Sequence, residues 1–310
     1  MIVVRDTKSF RQHYSRCVAT IGKFDGVHRG HQAILEQLKQ QARDSGLPAL
    51  VILIEPHPEE FFAASAEQCP PRLTTLEEKL QLLQAQDIDC VYQLEFNQAL
   101  SQLSAQATID DLLVKGLGIA ALIVGSDFRF GHQRRGDFAL LLDNGRRQGF
   151  AVLETHNCVI DGQRVSSTVI REHLSAGDFA RVEKLLGRPY AISGEVVHGR
   201  QLGADLGFPT CNINLHRRRI PLHGVFACQV QWQEQVLPAA VNIGFRPTVS
   251  DRGDALLEVH LLDFSANLYG QKLTVIFCHK IREEQKFPDL ESLKLQITRD
   301  VDAVLAYFTR

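Results

Sequence analysis

A change of pattern near residue 187 constrains this 310-residue chain more than any other feature. Before it, short apolar runs at 17–21, 49–54, 90–94, 120–124 and 150–153 alternate with helical patterns. Runs of that length, apolar throughout, suit strands buried on both faces of a parallel sheet. One helical pattern spans 32–42, with Ile34, Leu35 and Leu38 on one face. Another opens at Thr75, where Thr75-x-x-Glu78 reads as a capping box ahead of Leu76, Leu80 and Leu83. The alternation predicts a doubly wound α/β domain. After it, strand-like runs at 192–197, 224–232, 236–243, 256–262 and 273–281 follow one another with turns but no long helix between them. That succession predicts an antiparallel barrel or sandwich, closed by a helix over 290–308. Gly187-Arg188-Pro189 is the expected boundary, because proline cannot continue the helix before it. The expected domains are therefore 1–186 and 187–310.

Each half is long enough to bury its own core. A formal net charge of −2 gives no reason to expect nucleic acid or a membrane surface as partner, so any positive potential that holds phosphate must be local. No run approaches the roughly 18 apolar residues of a membrane helix, and Met1-Ile2-Val3-Val4-Arg5-Asp6 turns charged too soon for a signal peptide. The seven cysteines, at 17, 69, 90, 158, 211, 228 and 278, are odd in number and never spaced Cys-x-x-Cys. They exclude a fully paired set within one chain, offer no zinc motif, and read as reduced thiols in the cytoplasm.

The most informative stretch follows the first strand and opens the first helix: Ala19-Thr20-Ile21-Gly22-Lys23-Phe24-Asp25-Gly26-Val27-His28-Arg29-Gly30-His31. Glycines there let backbone approach a ligand, and the helix N-terminus offers free N–H groups and a positive dipole end to a phosphate. His28 and His31 can both face that phosphate. They would stabilise charge that develops as an α-phosphate is attacked and pyrophosphate leaves. The plainer alternative is a turn whose histidines only cap the helix. The strand before, the glycines and the helix after weigh against it.

Gly22-x-Phe24-Asp25-Gly26-x-His28-x-Gly30-His31 resembles the nucleotide-binding signature of the adenylyltransferase half of bacterial bifunctional riboflavin kinase/FAD synthetases. That half is a Rossmann-like α/β domain of the His-x-Gly-His nucleotidyltransferase superfamily. Three further matches come in the same order: Glu55-Pro56-His57-Pro58, Val124-Gly125-Ser126-Asp127-Phe128-Arg129-Phe130-Gly131, and Ser166-Ser167-Thr168-Val169-Ile170-Arg171. Ligands bind at the ends of parallel strands in open α/β sheets, so His57 and residues 127–131 sit where a site should be, and the resemblance implies flavin contacts at His57, Asp127, Phe128 and Arg129. Phe128 and Phe130 could flank a flat ring or pack into the core. Ser167 and Thr168 stand at a helix start, where hydroxyls usually cap, and Arg171 one turn in can clamp phosphate oxygens. The implied reaction is attack by an FMN phosphate oxygen on the ATP α-phosphorus. It needs positioning and charge stabilisation rather than a covalent intermediate.

In the second half, Leu206-Gly207-Phe208-Pro209-Thr210-Cys211-Asn212-Ile213 resembles the Gly-Phe-Pro-Thr-Ala-Asn element of riboflavin kinases, with Cys211 in place of alanine. Thr210 and Asn212, two apart in an extended segment, point to one side and offer neutral oxygens suited to Mg²⁺ that takes its other ligands from water and ATP. Gly224-Val225-Phe226-Ala227, Asn242-Ile243-Gly244-Phe245-Arg246-Pro247-Thr248 and Leu257-Glu258-Val259-His260 are similar to further elements of that family, an antiparallel β-barrel with a C-terminal helix. Phosphorylating the riboflavin 5′-hydroxyl needs a carboxylate to take its proton, and the resemblance implies Glu258. The plain alternative is a solvated glutamate on an alternating strand. Arg282 and Glu284 match a pattern near the flavin. Many relatives carry a basic residue in the loop before Pro-Thr, where this chain has Ala204. Arg200 is the nearest basic group.

The chain has no Gly-x-x-x-x-Gly-Lys-Ser/Thr sequence, so its ATP use is not that of a P-loop kinase. The resemblance extends over about 17–308 and implies riboflavin, FMN and ATP as substrates, FAD as product and Mg²⁺ as cofactor. It is compatible with a transient homo-oligomer, on which the sequence is silent. Two other readings are a single-activity nucleotidyltransferase of the same superfamily and a flavin-binding regulatory protein with decayed sites. The Pro-Thr-x-Asn and Glu258 segments argue against the first, and intact His28, His31, Arg171, Thr210, Asn212 and Glu258 against the second.

Overall fold

Six parallel strands make one sheet: β1 (Ile2–Val4), β2 (Cys17–Gly22), β3 (Ala49–Glu55), β4 (Cys90–Glu95), β5 (Ile119–Val124) and β6 (Ala151–Glu154), in the order β1-β4-β3-β2-β5-β6. Leu50, Val51, Ile52 and Leu53 of β3 are all fully buried, because helices cover both faces. On one face α2 (Arg29–Ser45) packs Leu35 and Leu38 against Val18, Leu53 and Ile123. On the other, Phe10, Leu117, Leu141 and Phe150 pack against Ala19, Leu50 and Ile52. The edge strand β1 carries no sequence signal, being three residues long and ended by Asp6. The Asp6 carboxylate caps the next helix, Thr7–His13, by accepting the Ser9 N–H at 2.7 Å.

The later strands β9 (Ala191–Val197), β10 (Cys211–Asn214), β11 (Gly224–Trp232), β12 (Gln235–Gly244), β13 (Leu256–Leu261) and β14 (Lys272–Arg282) close into an antiparallel barrel, ordered β10-β13-β12-β11-β14-β9. Along the chain between β6 and β9, β7 (Val159–Ile160) and β8 (Gln163–Arg164) form a small hairpin. The barrel rather than the sandwich is therefore realised. The extra strand that closes it, β10, is the short Cys211–Asn214 segment that follows Thr210. A helix over Leu290–Phe308, capped by Asp289, lays Val304 against Ala227 and Leu262.

This computed structural model describes every residue except 66–67, 156, 199–205, 216, 218, 245–255 and 310. Arg200, Ala204 and the 245–248 part of the Asn-Ile-Gly turn thus lie outside the described residues. The chain divides into one unit of Met1–Ala64 and Leu76–Ser166 and a second of Ser65–Thr75 and Ser167–Arg310. The second unit takes in helices Ser167–Ala176 and Phe179–Leu186, with the Phe179 ring 5.9 Å from Phe226 and 6.0 Å from Phe277. It also holds a segment from far upstream. Tyr190 and Arg217 donate to the Leu73 carbonyl at 3.3 and 3.0 Å, Arg219 to that of Cys69 at 3.2 Å and Arg171 to that of Pro71 at 2.6 Å.

Candidate active sites

The turn between β2 and α2 is strained. Phe24, Gly26 and Val27 have φ of 49°, 87° and 39°, and positive φ is rare for a β-branched or bulky residue. The turn brings Phe24, Asp25 and His28 into burial at 2%, 2% and 5% exposure. His28 stands at the N-cap of α2, and its Nδ1 accepts the His31 N–H at 3.3 Å. Capping by histidine is therefore real, and it aligns the two rings, stacked at 3.6 Å between centroids. Gly30 makes room for this, since a Cβ there would lie 3.1 Å from the His28 ring. Gly22 likewise lies beneath the Phe24 ring, 3.2 Å from where its Cβ would be. His31 Nδ1 is buried with no hydrogen-bond partner among the described residues. Burial, followed by the His28 ring and the Lys79 and Lys23 ammoniums, holds its pKa well below the usual histidine range.

Beyond β3, His57 is 4% exposed and begins α3 (Pro58–Phe62). Its Nε2 lies 3.1 Å from Nζ of Lys79, a lysine on α4 (Leu76–Gln84) that is 0% exposed and paired with Glu55 at 2.7 Å. Sequence reasoning passed over Lys79. After β5, Asp127 is exposed and pairs with Arg164 at 3.0 Å. Arg129 turns onto the Phe128 carbonyl at 2.9 Å. Phe128 stacks on Phe130 at 5.5 Å, and both rest against the core. An aromatic cluster that the sequence reading missed follows β3 and β4: Phe61, Phe62 and Phe96 meet edge to face at 5.2–5.7 Å, with Phe62 66% exposed. In the second unit, Ser167 begins its helix, Thr168 is exposed, and Arg171 is engaged with Pro71.

A cavity of about 640 Å³ in the second unit is lined by β-strand residues on one side and by Leu293, Ile297 and Val301 of the last helix on the other. Thr210, Asn212, Glu258, Arg282 and Glu284 all border it. The barrel register explains the convergence: Asn212 of β10 pairs with Glu258 of β13, which pairs with Asn242 of β12. Leu257 and Val259 are 0% exposed, so alternation turns Glu258 to the opposite face, the one lining the cavity. Asn242 Nδ2 donates to Glu258 Oε2 at 3.4 Å. Asn212 is 5% exposed, and its Oδ1 has no hydrogen-bond partner among the described residues. His260 Nδ1 lies 2.8 Å from the Pro209 carbonyl, tying the Pro-Thr element to β13. Gly207, with φ of 90°, makes the turn that leads into it. Arg282 borders the cavity with its guanidinium held by both oxygens of Asp300, at 2.7–3.1 Å.

A family model described as FAD synthetase matches residues 10–169, and one described as riboflavin kinase matches 186–308. A Pseudomonas fluorescens protein described as a bifunctional riboflavin kinase/FMN adenylyltransferase is 49% identical over 306 residues, covering 99% of this chain and 97% of its own. An Escherichia coli protein of the same description is 48% identical, covering 92% and 90%. A solved structure described as a macrolide-efflux protein from Streptococcus pneumoniae superposes with a TM-score of 0.79 at 26% identity over 98% of both chains. No helix among the described residues is long and apolar enough to cross a membrane.

Proposed function

Since the chain belongs to the bifunctional riboflavin kinase/FMN adenylyltransferase family, we propose how its own residues divide the two reactions. The C-terminal part phosphorylates riboflavin to FMN with ATP, and the N-terminal part adenylylates FMN to FAD with release of pyrophosphate. The proposed division is 1–186 and 187–310.

In the kinase, Glu258 takes the proton of the riboflavin 5′-hydroxyl as the oxygen attacks the γ-phosphorus of ATP. Asn242 orients that carboxylate. Thr210 and Asn212 would hold Mg²⁺. The buried, unpartnered Asn212 Oδ1 fits a hard cation that prefers neutral oxygen ligands. When bound, Mg²⁺ neutralises charge on the ATP phosphates. Gly207 and Pro209 shape the loop that approaches the nucleotide. Arg282, fixed by Asp300, and Glu284 flank the flavin.

In the adenylyltransferase, Gly22, Phe24, Asp25 and Gly30 form the turn that admits ATP. His28 and His31 donate hydrogen bonds to its phosphates. His31 is kept neutral in the ligand-free chain. Bound phosphate carries charge of the opposite sign to Lys79 and Lys23 and raises its proton affinity where charge develops. His57, Asp127, Phe128 and Arg129 are proposed for FMN, with the exposed Phe62 as a further apolar surface for its ring. None of the seven cysteines is in a disulfide, which supports a reducing, cytoplasmic setting.

The single observation that carries this reading is the Asn212–Glu258–Asn242 row on the cavity wall. Glu258→Gln is expected to lower FMN formation by about 10²- to 10⁴-fold while supplied FMN still becomes FAD. Equal loss of both activities, measured by chromatography of the flavins, would remove the assigned role.

A further inference from the structure

Lys79 is 0% exposed, a rare position for a lysine, yet no role assigned above accounts for its place beside Glu55 and His57. Its ammonium meets Glu55 Oε2 at 2.7 Å, His57 Nε2 at 3.1 Å and the Lys23 carbonyl at 3.3 Å. Those three groups lie at the end of β3, just beyond it, and just beyond β2, where an open parallel sheet binds its ligands. A buried ion pair is weak grounds for stability, because desolvation offsets the attraction and apolar replacements are often neutral or better. The pair therefore calls for a reason other than folding.

The geometry points to Lys79 as a positioning residue for adenylyl transfer, one that orients the His57 ring and holds it as a neutral imidazole. An ammonium has only protons to offer, so the ring nitrogen facing it must present a lone pair. Protonating the ring would set two positive charges 3.1 Å apart. Glu55 neutralises the ammonium from the other side. Charged and titratable neighbours among the described residues include Lys23, which pairs with Glu59 at 2.6 Å, Glu60, whose Oε2 accepts the His57 backbone N–H at 3.3 Å, and His31, which feels the charge of Lys79. In this reading His57 is a fixed, uncharged ring beside the Lys79 ammonium. The inference rests on the reading that the ends of β2 and β3 form the adenylyltransferase site.

The test uses the full chain, with FMN formation as an internal control for intact protein. Lys79→Met should lower FAD synthesis by about 100-fold, the scale of a 1 Å misplacement, with FMN formation unchanged. Because Lys79→Met leaves Glu55 unpaired, Glu55→Gln/Lys79→Met is made alongside it. If Lys79 only neutralises Glu55, the double variant regains FAD synthesis. If Lys79 acts through His57, the double variant folds with a restored melting temperature and stays impaired. Nitrogen-15 spectra of the His57 ring should show it neutral down to about pH 5 in the native chain and titrating near the ordinary histidine value of about 6.5 in the double variant. Full FAD synthesis in the double variant, or a native His57 that protonates near pH 6.5, overturns the inference. His57→Ala separates the two levels. If it leaves FAD synthesis intact, the site reading itself fails. If it impairs the reaction while the double variant does not, only the role of Lys79 falls.

Discussion

Asn212 Oδ1 is a buried acceptor that meets no donor among the described residues, and leaving such a group unsatisfied costs about 1–3 kcal/mol. A strand position that tolerates this is tuned for a ligand rather than for folding. Asn212→Val is accordingly expected to raise the stability of the nucleotide-free chain by about 1 kcal/mol and to abolish FMN formation. Thermal unfolding and a kinase assay on the same sample check both halves of that statement. Thr210, Asn212 and Glu258 were legible in the sequence because they lie in short, ordered motifs. Their convergence was not, since it depends on the register of β10, β13 and β12. Lys79 left a trace that went unread. It stands three residues after Leu76 and four before Leu83, on the apolar stripe of its helix, and a lysine on that stripe needs a buried partner. Glu55, its partner, was visible only as part of a motif. Arg282 was read as a flavin contact, whereas its partner Asp300 lies on a helix whose docking no local pattern reveals.

Secondary structure followed from local rules wherever an element is apolar on two faces or periodic on one. The five expected strands of the first half appear as β2 to β6, and the last helix occupies 290–308 as its pattern predicts. β1 and β10 escaped because three or four residues carry too little periodicity. Each is a strand only because a neighbour offers it a ladder. Helices Ser167–Ala176 and Phe179–Leu186 precede the boundary expected at Gly187, yet they belong to the barrel unit. Phe179, Val182, Leu185 and Leu186 are 8%, 0%, 0% and 0% exposed. A fragment of 167–310 should therefore unfold at higher denaturant than one of 187–310, by about 3 kcal/mol or more from burial of those side chains. Equal midpoints in urea would show that the two helices add nothing to the barrel.

Across the whole molecule, sequence order and spatial unit part company at Ser65–Thr75, which belongs with the barrel although residues on both sides belong to the sheet. Its backbone carbonyls are taken by Tyr190, Arg217, Arg219 and Arg171. No reading of periodicity could find this, because the segment contributes carbonyls rather than a side-chain pattern. His28 and His31 lie in the first unit, and Thr210, Asn212 and Glu258 in the second, together with Ser167, Thr168 and Arg171. The link between the two steps is FMN itself, the product of one site and the substrate of the other. The most direct measurement mixes two full-length variants, Glu258→Gln and His31→Ala, with riboflavin and Mg·ATP. Alone, the first should make neither FMN nor FAD, and the second should stop at FMN. Together they should make FAD, because FMN released by one molecule is adenylylated by the other. FAD from either variant alone, or none from the mixture, would contradict two independent sites.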